Sequence, residues 1–112
     1  MEFMIEVKAI PGKFQELYQT LQALLPTIRK EKGCRGCRIC RDIEDGEIFF
    51  LAVDWDTKES LEDYARSGSC SALLGAVDLL SAEARVRFGR DSGWEGIDIL
   101  KRIRKGTRLK SL

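Results

Sequence analysis

Cys34, Cys37 and Cys40 recur at every third position of one short segment, and Cys70 follows as a fourth thiol. Thiolates at this spacing serve iron–sulfur loops or, with a fourth ligand such as Cys70, a zinc site. Both need a looping backbone that turns every sulfur inward. Cys34–Asp42 reads instead as an extended strand, on which Cys34 and Cys40 face one way and Cys37 the other. Glu44 stands where the ferredoxin spacing would place its fourth ligand, and no proline follows. No metal is therefore expected. The same alternation makes a bridge between neighbouring thiols geometrically poor, so reduced cysteines are expected. An exposed Cys37 between Arg35 and Arg38 would have its thiolate favoured, which makes it the redox candidate. The plainer alternative is that small polarizable residues simply occupy strand positions.

The chain contains neither histidine nor asparagine. That removes Ser-His-Asp hydrolysis, haem held by an axial histidine and histidine-based zinc chemistry. With 112 residues, 44% of them hydrophobic, there is room for one domain and one core. A formal net charge of +1 gives no long-range field toward nucleic acid or a membrane. Glu2, Glu6 and Lys8 interrupt the start, and no apolar run approaches the roughly 18 residues of a membrane span. The cytoplasm is the expected compartment. Lys101, Arg102, Arg104, Lys105, Arg108 and Lys110 make the C-terminal end basic. No aromatic residue follows Trp94, so this end reads as a solvated tail rather than a nucleic-acid surface.

The elements that must position any site follow from periodicity. Met1–Ala9 alternates as a strand, and Pro11-Gly12 punctuates. Phe14, Leu17, Tyr18, Leu21, Leu24, Leu25 and Ile28 form one helical stripe that should end near Lys32-Gly33, with a kink or break at Pro26. Cys34–Asp42 and Glu47–Trp55 form a hairpin, whose second arm is apolar on both parities and therefore central. Asp56, with Glu59, should cap a helix carrying Leu61, Tyr64 and Ala65. A short helix over Ser71–Leu80, a strand over Glu83–Gly89 and a helix over Trp94–Lys105 complete the series. The order is β-α-β-β-α-β with an extra C-terminal helix, an α+β fold of ferredoxin-like topology. Helices cover one sheet face, and Ile48, Phe50 and Ala52 would leave the other partly apolar. A second subunit laid sheet to sheet would bury that patch, so a homodimer is expected.

Several of these residues also carry a resemblance. They are Pro11-Gly12-Lys13 opening the first helix, Ile28 through Cys34 leading into the second strand, Arg41 through Asp45 at the hairpin, Trp55 closing the third strand, Leu73-Leu74-Gly75-Ala76, and Arg87-Phe88. In this order and spacing, from about Met1 to about Arg104, the chain resembles the antibiotic biosynthesis monooxygenase, or quinol-monooxygenase-like, family. The resemblance implies a domain over residues 1–105, with 106–112 as a frayed basic tail, and a homodimeric α/β barrel formed by two sheets. It also implies a pocket between sheet and helices that admits a small aromatic substrate, a quinol or polyphenol, which reacts with O2 without metal, flavin or other cofactor.

Such chemistry needs an apolar enclosure and a cation or donor near a phenolate, and a base assists it. Trp55, Tyr64, Phe49, Leu51, Val53 and Leu73 are the candidate walls. Arg85 or Arg87 would stabilise the anion, and Asp54 would accept a proton if burial raised its pKa. Against this stands a structural role for each: Trp55 and Tyr64 as core, Arg85 and Arg87 as partners in interface ion pairs, Asp54 as a strand-end acid. Family relatives with a histidine on or after the second helix have no counterpart in Tyr64–Cys70, which argues against haem degradation. The alternative function is a non-catalytic dimeric ligand-binding or stress-associated domain. A collapsed pocket filled by Trp55, Tyr64 and Leu73 would favour it.

Overall fold

The computed structural model describes residues 1–89 and 91–106. Strand β1 (Glu2–Ala9) buries Phe3, Ile5, Val7 and Ala9, alternate residues on one face, as its sequence pattern requires. Helix α1 (Phe14–Arg29) follows, then β2 (Cys34–Arg41) and β3 (Ile48–Trp55) as a hairpin. Helices α2 (Lys58–Ala65) and α3 (Gly68–Leu80) lead to β4 (Ser81–Phe88), a two-residue β5 (Glu95–Gly96) and α4 (Asp98–Arg104).

The strands form one antiparallel sheet in the order β2-β3-β1-β4-β5. With β1 between β3 and β4, this is the ferredoxin-like arrangement expected. Phe49, Leu51, Val53 and Trp55 of β3 face the helices and are buried, opposite Val7, Ile5 and Phe3 in the ladder with β1. Leu17, Leu21 and Ile28 of α1 complete this core, with Leu61 and Tyr64 of α2, Leu73 and Val77 of α3, and Leu100 and Ile103 of α4.

Several local expectations are corrected. Helix α1 is unbroken through Pro26 and stops at Arg29, short of Lys32. Pro26 and Gln22 are both exposed, so water can take the carbonyl bond that the proline nitrogen cannot supply. The cap of α2 is Thr57, whose Oγ1 accepts from the Ser60 amide at 3.1 Å, rather than Asp56. Helix α3 starts at Gly68, three residues before the expected Ser71, because Ser67 Oγ accepts from the Cys70 amide at 3.1 Å. Trp94 lies before α4 rather than within it, since Glu95–Gly96 adds an edge strand beside Arg85 and Val86. Of the expected tail, residues 107–112 lie outside the described residues.

The largest correction concerns β2. Cys34 lies opposite Trp55, yet Gly36 lies opposite Asp54 and Cys37 opposite Val53. A bulge thus inserts one extra residue between Cys34 and Gly36 and inverts the parity of everything before it. Cys34 and Cys37 share the helix-covered face, and Cys40, opposite Phe50, lies on the other.

Candidate active site

The candidate enclosure is built where β3 ends beneath α2 and α3. Alternation along β3 sends Trp55 to the helix side, and the stripe of α2 returns Tyr64 to it. Their ring centroids are 5.1 Å apart with planes tilted by 32°. Phe3 meets Tyr64 edge-on at 6.4 Å. Trp55 and Tyr64 are 0% and 1% exposed, and Leu73 of α3 is equally buried. Trp55 Nε1, Tyr64 Oη and Ser69 Oγ are all buried, and none has a hydrogen-bond partner among the described residues.

The electrostatics of this cluster keep it neutral. Burial is the main cause pushing the Tyr64 phenol far above its ordinary value, and the Cys70 and Cys37 thiols add to it. Ser69 Oγ lies close enough to favour the phenolate slightly, although neither oxygen reaches a partner in full hydrogen-bond geometry. Burial also pushes Cys70 up to about 11, opposed by the Arg104 guanidinium. Arg104 Nη1 in turn donates to the carbonyls of Ala65 (2.9 Å) and Ser67 (2.8 Å), which ties α4 to the α2–α3 turn. Tyr64 and Trp55 therefore present two neutral N–H or O–H donors in an apolar setting.

The sequence-derived candidates separate into two groups. Trp55, Tyr64, Phe49, Leu51, Val53 and Leu73 are brought together on the helix side of the sheet, as expected, but as packed core. Four cavities stand out, and Trp55, Tyr64, Leu51 and Leu73 line none of them. Asp54 and Arg87 are not brought to the enclosure. Asp54 follows Val53 and so points to the opposite face, where its side chain is 52% exposed and accepts from the Met1 amine at 3.1 Å. Arg87 pairs with Met4 on that same open face, its guanidinium 5.0 Å from the Trp94 ring centroid. Arg85 lies on this face too. It grips Glu6 of its own chain at 2.7 Å and 3.2 Å and sits 4.5 Å over Trp94.

The expectation of an exposed, acidified Cys37 is overturned. Cys37 is 8% exposed, and burial above all, with Cys34 beside it, pushes its thiol up to about 12. Arg29, not its flanking arginines, is the cation that opposes this shift. All four cysteines are free thiols. Among the described residues no group of three or more Cys, Asp or Glu side chains is placed to hold a metal ion. No described helix is long and apolar enough to cross a membrane.

Sequence reasoning missed a second concave feature. A half-open groove of about 600 Å³ runs between α1 and β2, with Phe14, Tyr18 and Phe49 as its aromatic wall and Arg29, Arg38 and Arg41 around it. Phe14 and Tyr18, four apart on one helix, were the available signal.

Solved structures share this architecture. The Pseudomonas aeruginosa protein PA3566 superposes with a TM-score of 0.71 at 21% identity, over 80% of this chain and 91% of its own. A conserved protein from Methanosarcina mazei gives 0.70 at 20% identity, over 80% and 91%. A protein described as an antibiotic biosynthesis monooxygenase gives 0.72 at 13% identity, over 82% and 98%. At such identities the likeness establishes the fold. No curated protein matches the sequence. The sequence profile of antibiotic biosynthesis monooxygenases, however, matches residues 2–74, well over half of the chain, and by that match the chain belongs to the antibiotic biosynthesis monooxygenase family.

Proposed function

We propose that this chain is a monooxygenase that oxidises a small quinol or polyphenol with O2 without a resident metal or flavin, at a site that forms when the packed rings of Trp55 and Tyr64 part to admit the substrate. The observation that carries the reading is a pair of buried donors, Trp55 Nε1–H and Tyr64 Oη–H, neither of which reaches a hydrogen-bond partner in full geometry among the described residues. Leaving such a group unpaired costs about 1–3 kcal/mol, so an unliganded core gains nothing by keeping two. A phenolic oxygen seated between the rings would accept from both.

Neutral donors suit this chemistry. They stabilise negative charge developing on the substrate oxygen without a buried cation that would itself need solvation. The electron-rich phenolate then reduces O2 directly. One oxygen atom is inserted into the substrate, and the other leaves as water with two hydrogens from the substrate, so a hydroquinone and O2 give a hydroxyquinone and water. Membership of the family supports the reaction class. The partly apolar open face, with Met4, Phe50 and Ala52, supports assembly of two subunits sheet to sheet.

The packing of Trp55, Tyr64 and Leu73 as core that lines no cavity favours a second reading, a dimeric ligand-binding or stress-associated domain without catalysis. Oxygen uptake with a panel of quinols and anthrones separates the two. Uptake above the spontaneous rate that falls in Trp55→Ala supports the oxygenase. Saturable binding of the same compounds without uptake supports the binding domain.

A further inference from the structure

The groove between α1 and β2 lies apart from the Trp55–Tyr64 enclosure, and its chemistry is different. Its wall is a set of three nearly parallel rings. Phe14 and Phe49 are 4.8 Å apart at 23°, Tyr18 and Phe49 5.7 Å apart at 14°, and Phe14 and Tyr18 6.2 Å apart at 10°. Phe49 is anchored in the core, while Phe14 and Tyr18 are only half-buried and keep ring surface toward the groove. Such a wall accepts one more planar ring by offset stacking.

The polar side of the groove is cationic. Arg41 Nε donates to the Gly46 carbonyl at 3.0 Å, which holds its guanidinium 4.1 Å over the Phe14 ring. Arg29 Nε donates to the Cys37 carbonyl at 3.1 Å. Each arginine is thus fixed through its Nε, and its two Nη atoms remain as donors in a planar fork. Neither arginine, nor Arg38 beside them, joins an ion pair among the described residues. No acidic side chain lines the groove. Arginines on an edge strand such as β2 are explained by protection of that edge. Arg29 is not, because it comes from α1 and converges on the same space.

We propose that this groove binds a planar aromatic carboxylate, its rings stacked on Tyr18 beside the Arg41-covered Phe14 and its carboxylate held by Arg29 and Arg41. A volume of about 600 Å³ suits a ligand of one to three fused rings. The fork of a fixed guanidinium matches the two oxygens of a carboxylate, and stacking selects an aromatic over an aliphatic acid. The site does not depend on oxygenase chemistry in the enclosure.

The test is titration of the full chain with 2-naphthoate and, as a neutral counterpart, 2-naphthalenemethanol, followed by protein chemical shifts. The acid should bind at least about tenfold more tightly than the alcohol, with shifts at Phe14, Tyr18 and Arg41. Arg29→Gln and Arg41→Gln should each weaken naphthoate about tenfold, and Tyr18→Leu should weaken both compounds. Added salt should weaken the acid alone. Arg85→Gln, on the other sheet face, should change neither. If Arg41→Gln fails to fold for want of its bond to Gly46, Arg29→Gln and the salt dependence decide. Equal affinity for acid and alcohol would overturn the proposal. So would binding that Tyr64→Phe abolishes while Arg29→Gln leaves it intact, since the probe would then occupy the enclosure. A change in oligomer size without saturable binding would also overturn it, and would assign the groove to a second copy of the chain.

Discussion

Trp55 and Tyr64, nine positions apart in sequence and on different elements, meet with ring centroids 5.1 Å apart, and each ends in a buried polar atom that makes no hydrogen bond in full geometry among the described residues. The carbon skeletons of the pair are core, while their polar tips lack such a bond. Removing a tip without removing its ring separates the two roles. Tyr64→Phe should leave the thermal midpoint of the free protein unchanged or raise it, because a buried hydroxyl that costs about 1–3 kcal/mol disappears. The same substitution should lower quinol-dependent oxygen uptake by about tenfold or more. A melt paired with an oxygen electrode checks both, and a destabilised variant would show that Tyr64 Oη is satisfied in the folded protein.

The buried thiols make stability fall in alkali. Cys37 and Cys70, with an ordinary value of 9.0, titrate at about 12 and about 11 when folded, chiefly through burial. The phenol of Tyr64 is displaced in the same direction. Above about pH 9 the unfolded chain therefore loses these protons first and is favoured, so stability is complete below that pH and declines toward pH 12. Denaturant midpoints measured between neutral pH and about pH 10.5 should decrease, and the slope should flatten in Cys37→Ala.

Gly33 and Gly12 both adopt left-handed backbone, with φ of +87° and +86°. Only Gly33 is enclosed, since a Cβ there would run into the Ser60 and Asp56 side chains, whereas nothing lies near one at Gly12. The Gly33 carbonyl also accepts from the Asp56 amide at 2.8 Å, joining the end of the α1–β2 turn to the end of β3. Gly12→Ala should cost about 1–2 kcal/mol for conformation alone. Gly33→Ala should cost clearly more in the same chemical denaturation series.

Sheet-to-sheet assembly makes a further prediction. Phe50 lies on the open face opposite Glu6 and Cys40. Phe50→Glu should give a monomer in light scattering at micromolar concentration while preserving the far-ultraviolet circular dichroism. A wild-type chain that is already monomeric would remove the basis for the dimer.

The architecture was legible because it rests on repeated signals. Alternation in Met1–Ala9 and Glu47–Trp55 and the stripe from Phe14 to Ile28 each integrate many residues, and β1, β3 and α1 follow them. The enclosure residues were legible for the same reason, since Trp55 and Tyr64 occupy inward positions of a strand and a helix. What escaped depended on single events. A bulge next to Arg35 reversed the face assigned to Cys34, and no periodicity encodes one extra residue. Asp54 was close in sequence to Trp55 but is separated from it by the thickness of the sheet. The arginines of the groove converge through side-chain bonds to the Gly46 and Cys37 carbonyls across turns, which no periodicity announces.

The bulge in β2 also bears on how this strand can change over evolutionary time. Loss of Arg35 would restore plain alternation and keep Cys34 and Cys37 on the side of Trp55, with the ladder beyond Gly36 undisturbed. Loss of a residue within Cys37–Ile39 would instead turn part of the strand inside out, exchanging the faces of residues such as Arg38 and Ile39. The bulge at residues 35 and 36 is therefore where a homologous chain can be a residue shorter in β2 without rebuilding its interior.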